Sequence, residues 1–572
     1  MKKFFLYFTA IIIACCALAF APGRASAEIT DKQYVALRDE MKSLYLVQSI
    51  LSWHTRTGGE RSVFQESYKG HEALYSLPSI KYVGGMIAQP GLSDDDRRAA
   101  RFFKNALTLE YIGIDTAHFD DEVNNAEASA TVKIEWIPAP VPYRQLLALA
   151  AQESDADKRQ KLQDAQAQVW KDLLNPIHER AEKRVRELAV ELGYPSYVTL
   201  SEDFREVNLK DFIARSQKFI AKSDASYKKI LAAEVQEVMG FPVEKFRRAD
   251  IQYFSSVPAF KSFFPAELTV PAFKYFLEGM GLDLTTAAGT QIMVDDGIRD
   301  KKEPRAACYQ MTVPDDVRIT VKPTGGIPDF ETFFHEGGHA MHFANTTIPQ
   351  WEFQQLGSNA VTEGFAIFFE NIWGDYEWLK KYRELEKEYN RFQPPEKQAA
   401  LMTDADMGKL IRNRVFWKLY MVRRYNGAKL VYESLLHGGD PSYYKEYYTG
   451  PADDPRLAYR KLFSDAYGFQ LSDADSLRFR TDVDSVFYSA DYARAFLLSE
   501  QLEEAMRSKF GDKWFNDPRA GELLKKSLWS NGSKPHPDDL ARLIGFKQVD
   551  YEQFEKRMNE QLAIAEKLMN SK

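Results

Sequence analysis

His335-Glu336-Gly337-Gly338-His339 is preceded by Asp329-Phe330-Glu331-Thr332-Phe333-Phe334 and followed by Ala340-Met341-His342-Phe343. This run decides how the rest of the 572-residue chain is read. Its apolar residues recur at helical spacing and acids occupy its first turn, so it predicts an amphipathic helix. Histidines four residues apart project from one helical face, where both imidazoles can reach one ion and Glu336 between them can hold a water. The competing reading is two satisfied histidines in a packed core. Gly337 and Gly338 work against the helix, each costing about 1 kcal/mol relative to alanine in a helix interior. That cost marks a place where another chain or a substrate approaches closely.

A zinc ion held this way needs a third protein ligand and one open position. A third histidine six residues after the second is excluded, because Asn345 stands there. The better candidate is Glu363 in the apolar run Gly357-Ser358-Asn359-Ala360-Val361-Thr362-Glu363-Gly364-Phe365-Ala366-Ile367-Phe368-Phe369-Glu370. Glu363 and Glu370 are seven residues apart and share a helical face. Carboxylates in so apolar a segment require partners. The expectation is Glu363 as ligand and Glu370 as acceptor for a ligand histidine's other ring nitrogen, against salt bridges to Arg or Lys as the alternative. His342 is a rival ligand, placed further round the helix.

The segment Phe334 to His342, followed by Glu363 and Glu370-Asn371, resembles the thimet oligopeptidase and oligoendopeptidase F family of zinc peptidases, within the glutamate-ligand zincins. The related angiotensin-converting-enzyme family of peptidyl-dipeptidases shares the third-ligand spacing and has something like Asp316-Val317-Arg318-Ile319. Leu192-Gly193-Tyr194-Pro195-Ser196-Tyr197 is similar to a recurrent helix junction of the family, and Asn531-Gly532-Ser533-Lys534-Pro535 to its C-terminal glycine-serine segment. The likeness is dense over 305–375, patchy over 190–560 and poor before 190. It implies a mainly α, helical zincin with a small β-sheet beside the metal. It also implies a deep channel between an N-terminal helical half, 28–200, and a catalytic half, 201–572. Tyr488 and Tyr492 match tyrosines near the family's C-terminus: Tyr492 the donor to the oxyanion, Tyr488 a second tyrosine on the substrate side. Relatives carry a histidine several residues earlier, where this chain has Asp482, Val483 and Asp484.

Lys2-Lys3, the apolar stretch Phe4 to Ala21 and Ala25-Ser26-Ala27 read as a cleavable secretory signal over 1–27, which predicts a periplasmic or extracellular protein. A lipoprotein signal ending at Cys15 is the main alternative, with a shorter apolar core, and an uncleaved anchor is the other, against which the small residues at the cleavage positions speak. Cleavage removes Lys2, Lys3 and Arg24 and makes the formal net charge, −7 for the whole sequence, more negative by three. Such a balance argues against nucleic acid as a partner. Cys308 is then the one cysteine left, so the mature chain has no internal disulfide. No later stretch is apolar and long enough to insert in a membrane.

Long helical patterns dominate: 31–52, a helix capped by Ser93-Asp94-Asp95-Asp96, and 155–192, 209–239 and 376–391. Thr131 to Ile137 and Arg318 to Lys322 alternate as strands. The second lies where zincins place the edge strand that aligns an extended substrate, with a short structural strand as the equal alternative. Together these readings predict an oligopeptidase with one zinc per chain, acting on short unstructured peptides. His335, His339 and Glu363 would hold the metal and Glu336 would serve as general base. A peptidyl-dipeptidase releasing C-terminal dipeptides is the alternative, and a non-catalytic peptide-binding relative is the alternative of another class.

Overall fold

The computed structural model describes residues 29–60 and 63–570. The expected export signal and Cys15 lie outside them. The principal helices of the first part are α1 (Lys32–Gly58), α2 (Asp94–Ser129), α3 (Asn175–Glu191), α4 (Leu209–Met239) and α5 (Thr269–Gly279). The side chain of Ser93 accepts the Asp96 N–H and so starts α2, while Asn208 accepts that of Asp211 at the start of α4. The stretch expected as one helix over 155–192 is two, Ala156–Val169 and α3, joined by a π-helical segment, Trp170–Leu174. Thr131 to Ile137 is not one strand but the start of an antiparallel hairpin, β1 (Thr131–Ile134) with β2 (Ile137–Pro142). Its alternation breaks where the chain turns back.

The sheet beside the helix that carries His335 and His339 has the order β3–β5–β4, from β3 (Met293–Asp295), β4 (Ala307–Thr312) and β5 (Asp316–Thr320). β3 runs parallel to β5 and β4 antiparallel to it. This decides between the two readings of Arg318 to Lys322 in favour of the structural strand: β5 is central, and the edge nearest the helix that carries His335 and His339 is β4. The apolar alternation of β5 reflects burial between two neighbours, whereas β4 is half-buried along most of its length.

Then follow α6 (Ile327–Ala344), α7 (Asn359–Glu370), α8 (Asp404–Val422), α9 (Tyr488–Phe510) and α10 (Glu552–Asn570). Every residue of α7 from Ala360 to Phe369 is buried, between α6 on one side and α9 on the other. Two glycines make this packing possible. A Cβ on Gly338 would lie 2.7 Å from Ala366 Cα of α7, and one on Gly337 would lie 2.3 Å from the ring of Phe273 on α5. The close approach read from the glycine pair therefore comes from within the molecule. Phe273, Phe276, Phe330, Phe334, Phe369, Trp373 and Trp378 interlock behind α6 in mostly edge-on contacts. Each such buried phenylalanine contributes roughly 1.5–3 kcal/mol relative to exposure.

A second apolar cluster joins α1 and α2 through Tyr34, Phe103 and Leu107 and takes in Trp351 from the segment between α6 and α7. The Tyr34 hydroxyl donates to Glu352 at 2.8 Å, which ties α1 to the segment between α6 and α7. The molecule is thus mainly helical, with small sheets and a cleft walled by α1 on one side. Among the described residues no helix is long and apolar enough to cross a membrane.

Candidate active site

α6 projects His335 and His339 from one face, and α7, held close by Gly338, carries Glu363 to meet them. His335 Nε2 lies 3.4 Å and His339 Nε2 3.7 Å from the same oxygen, Glu363 Oε2. One ligand atom from each of the three falls within 4.8 Å of the others. Glu363 Oε2 is buried and has no hydrogen-bond partner. Burial opposes ionisation of the carboxyl, but the His335 and His339 imidazoles beside it and the Tyr488 hydroxyl outweigh burial and hold it at about 2. Two imidazoles converging on an ionised carboxylate oxygen with an unmet hydrogen-bonding capacity form a donor set that suits zinc.

Glu370, at the end of α7, places Oε2 2.9 Å from His335 Nδ1. Burial lowers the His335 pKa, but Glu363 and Glu370 together outweigh it and raise it well above the usual range. In His339 burial prevails and the pKa falls. His342 turns away from the cluster, is fully buried and packs against Phe365 and Phe343, with ring centroids 4.8 and 5.3 Å away. Burial lowers its pKa to about 3. The rival ligand is a core histidine.

The cluster opens into a cavity of about 510 Å³ lined by Ser52 and Arg56 of α1, Arg305 to Tyr309 at the start of β4, Glu336, Phe343, Thr362, Tyr488 and Tyr492. Glu336 Oε2 accepts the Cys308 N–H of β4 at 2.8 Å, which orients the carboxylate toward the strand edge. Burial raises the Cys308 thiol pKa and keeps the group neutral. Arg56 pairs with Glu303 at 3.3 Å, while among the described residues Arg305 has no ion pair. A further cavity of about 470 Å³ continues the cleft between α1, at Asp39 to Leu46, and β4, at Gln310 to Thr312.

Tyr488 begins α9, and its hydroxyl donates to Glu363 Oε1 at 2.7 Å. Tyr492, one turn on, borders the same cavity and packs against Tyr425 and Phe496. Burial raises both phenol pKa values, so both hydroxyls are donors at neutral pH. Before Tyr488 the backbone is unusual: Val486 (φ 47°, ψ 43°) and Phe487 (φ 49°, ψ 44°) are consecutive left-handed residues, neither a glycine. Such a conformation costs about 1–3 kcal/mol per residue and persists only where the surroundings impose it.

Asp482 and Asp484, at the place where the resembled family was expected to have a histidine, do not line the cavity. Asp482 is buried among Arg424, Arg478 and Lys429 and accepts the Tyr459 hydroxyl at 2.8 Å, while Asp484 pairs with Lys429 at 2.9 Å. Sequence reasoning missed Arg305, the Cys308 N–H and the contribution of α1. For Arg305 and Cys308 the signal available was their nearness to β5 in the chain; for Ser52 and Arg56 there was none.

No known protein-family profile matches the chain, and no curated protein sequence does. Solved structures match its fold over nearly its whole length. An oligoendopeptidase F from Bacillus anthracis str. Ames aligns with a TM-score of 0.65 at 14% identity, covering 95% of this chain and 93% of that one. PZ peptidase A, solved with an inhibitor, aligns with a TM-score of 0.66 at 12% identity over 95% and 94%.

Proposed function

We propose that this chain, which shares the fold of those helical peptidases, is a zinc-dependent oligopeptidase of the oligoendopeptidase type, exported through its N-terminal segment. The observation that carries the reading is the convergence of His335 and His339 on the unpartnered oxygen of Glu363, in a cavity that also presents Glu336, Tyr488 and Tyr492. One zinc ion bound there would supply Lewis acidity, acidifying water and polarising a carbonyl oxygen. Glu336 takes the proton from the attacking water and delivers it to the leaving amine nitrogen. The Tyr492 hydroxyl, with Tyr488 beside it, donates to the oxyanion that develops as the carbonyl carbon becomes tetrahedral. Glu370 holds His335 in the tautomer that leaves Nε2 free toward the ion. The half-buried edge of β4 offers backbone groups to an extended peptide, with α1 as the opposite wall.

The cleft between α1 and β4 favours short unstructured substrates. An extended strand enters such a cleft, whereas a folded domain must first unfold at a cost of about 5–15 kcal/mol. A second reading, release of C-terminal dipeptides, is favoured by the cavity-lining guanidinium of Arg305, which has no ion pair among the described residues and suits a substrate carboxylate. Mass spectrometry of the products of a mixed peptide library, with and without chelator, tests the first reading. Repeating it on one peptide with a free and an amidated C-terminus separates the two. Equal internal cleavage supports the oligopeptidase, loss on amidation supports the dipeptidase, and no cleavage by zinc-loaded protein supports a peptide-binding relative.

A further inference from the structure

The turn that delivers Tyr488 to the metal site is held by side chains from elsewhere in the chain. Tyr197, in the junction Leu192 to Tyr197, accepts the Val486 N–H at 2.7 Å, and Glu433 accepts that of Asp484 at 2.8 Å. Arg205, at the end of the helix Tyr197–Arg205, does more. Its Nε donates to Val486 O at 2.7 Å, one terminal nitrogen to Asp491 Oδ2 of α9 at 2.7 Å and the other to Ser485 O at 3.4 Å. Its guanidinium carbon lies 5.0 Å from the centroid of the Tyr488 ring. One planar fork therefore grips the backbone of the left-handed turn, the first turn of the helix after it and the face of the tyrosine. The side chains of Arg205 and Asp491 are only 9% and 2% exposed, so solvent does little to weaken the pair.

We propose that Arg205 is a positioning residue that keeps Val486 and Phe487 in their left-handed conformation and thereby sets the Tyr488 hydroxyl against Glu363. The proposal rests on the peptidase reading. A β-branched residue at positive φ relaxes toward negative φ when nothing opposes it. Such a change at Val486 redirects the chain two residues before Tyr488, whose hydroxyl must reach one carboxylate oxygen. α9 has no side-chain cap of its own, since the residue before it, Phe487, accepts nothing with its side chain. The Arg205–Asp491 pair ties the first turn of α9 directly to the strained residues, beside Glu433, whose carboxylate accepts the Asp484 N–H and the Ser489 hydroxyl. Lysine cannot replace it, because an ammonium on a flexible stem does not present three donors in one plane.

The test compares the full chain with Arg205→Ala and Arg205→Lys, measuring bound zinc, kcat and KM on an internally quenched peptide. Both variants are expected to keep stoichiometric zinc, to change its affinity in the same direction as Tyr488→Phe does, and to keep KM within about twofold, while kcat falls roughly ten- to a hundredfold, the scale of a small misplacement in an active site. Millimolar guanidinium should restore part of kcat in Arg205→Ala and none in Arg205→Lys. Adding Tyr488→Phe to Arg205→Ala should cost less than about threefold more, since both changes disable one group. Unchanged kcat in Arg205→Ala, or a full and independent Tyr488→Phe loss in its background, overturns the proposal. Amide hydrogen exchange over 484–492 tests the role independently of activity: faster exchange there alone in Arg205→Ala is expected, and exchange identical to the parent overturns the role. If the parent cleaves no peptide, the peptidase reading fails while hydrogen exchange still tests Arg205.

Discussion

Tyr488 and Glu363 share a hydrogen bond of 2.7 Å that divides one carboxylate between two tasks: Oε1 takes the phenol and Oε2 faces the two histidines. A phenol so placed both orients the proposed ligand and stands beside the reacting carbonyl. Removing it has consequences that removing Tyr492 does not.

Tyr492→Phe should lower kcat by about a hundredfold with little change in KM, since an oxyanion donor worth about 3 kcal/mol acts in the transition state. Tyr488→Phe should lower kcat and also change zinc affinity, because Glu363 Oε1 loses its donor. Steady-state kinetics beside competitive chelation separate the two. A Tyr492→Phe variant in which only KM rises would move the oxyanion role to Tyr488.

His339→Ala and Glu363→Ala should each abolish stoichiometric zinc, whereas Glu370→Gln should retain it at about ten- to a hundredfold weaker affinity, the usual effect of losing a partner behind a ligand. Metal analysis after dialysis against graded chelator reads this order. Tight stoichiometric zinc in Glu363→Ala would remove that carboxylate from the site.

Glu336→Gln keeps an oxygen for the Cys308 N–H, so shape and zinc content should be preserved while the base is lost. Turnover should fall about a hundredfold or more. Near-parental turnover in a zinc-loaded Glu336→Gln protein would reject the role.

The helix of His335 and His339 was legible because its pattern is local: their four-residue spacing states their common face, and the two acids in the apolar run 357–370 state theirs. The helices over 209–239 and 376–391 were legible for the same reason. What sequence could not supply is pairing across long separations. The alternation of β5 reads the same whether the strand is central or at an edge, and β4 carries too weak a pattern to announce that it forms the edge beside Glu336. Arg205 and Val486 lie 281 residues apart, and nothing near either marks their contact. Gly337 and Gly338 signalled a close approach without telling that Phe273 and Ala366 make it.

Glu386, in the helix Tyr376–Arg391, is fully buried with neither carboxylate oxygen hydrogen-bonded, and burial pushes its pKa up to about 9 from 4.5. The folded protein then holds a proton that the unfolded chain releases. Its contribution to stability is complete below the unfolded value and declines as pH rises toward 9, by up to about 1.4 kcal/mol per pH unit. Glu386→Gln should flatten that decline and be more stable than the parent at pH 8, with the advantage shrinking toward pH 5. Urea unfolding at both pH values measures it; parallel pH profiles for the two proteins would show that Glu386 is ionised in the fold.

Gly338→Ala joins packing to chemistry. On an exposed helix the change would stabilise by about 1 kcal/mol, since alanine is the better helix former. Here the new Cβ would meet Ala366 Cα at 2.7 Å and Phe365 O at 2.9 Å, both on the backbone of α7, which cannot rotate away as a side chain could. α7 must therefore move off α6, at a cost of about 1–3 kcal/mol for overpacking. Glu363 lies three residues before Ala366 on the displaced helix, so the carboxylate recedes from both histidines. Stability and zinc affinity should fall together, and Gly337→Ala, whose Cβ would meet the Phe273 ring on the other side, should cost stability with less effect on zinc. Thermal unfolding of the metal-free proteins beside zinc titration resolves the pair. A Gly338→Ala protein that melts higher and binds zinc as tightly would show that the spacing between α6 and α7 does not set the metal site.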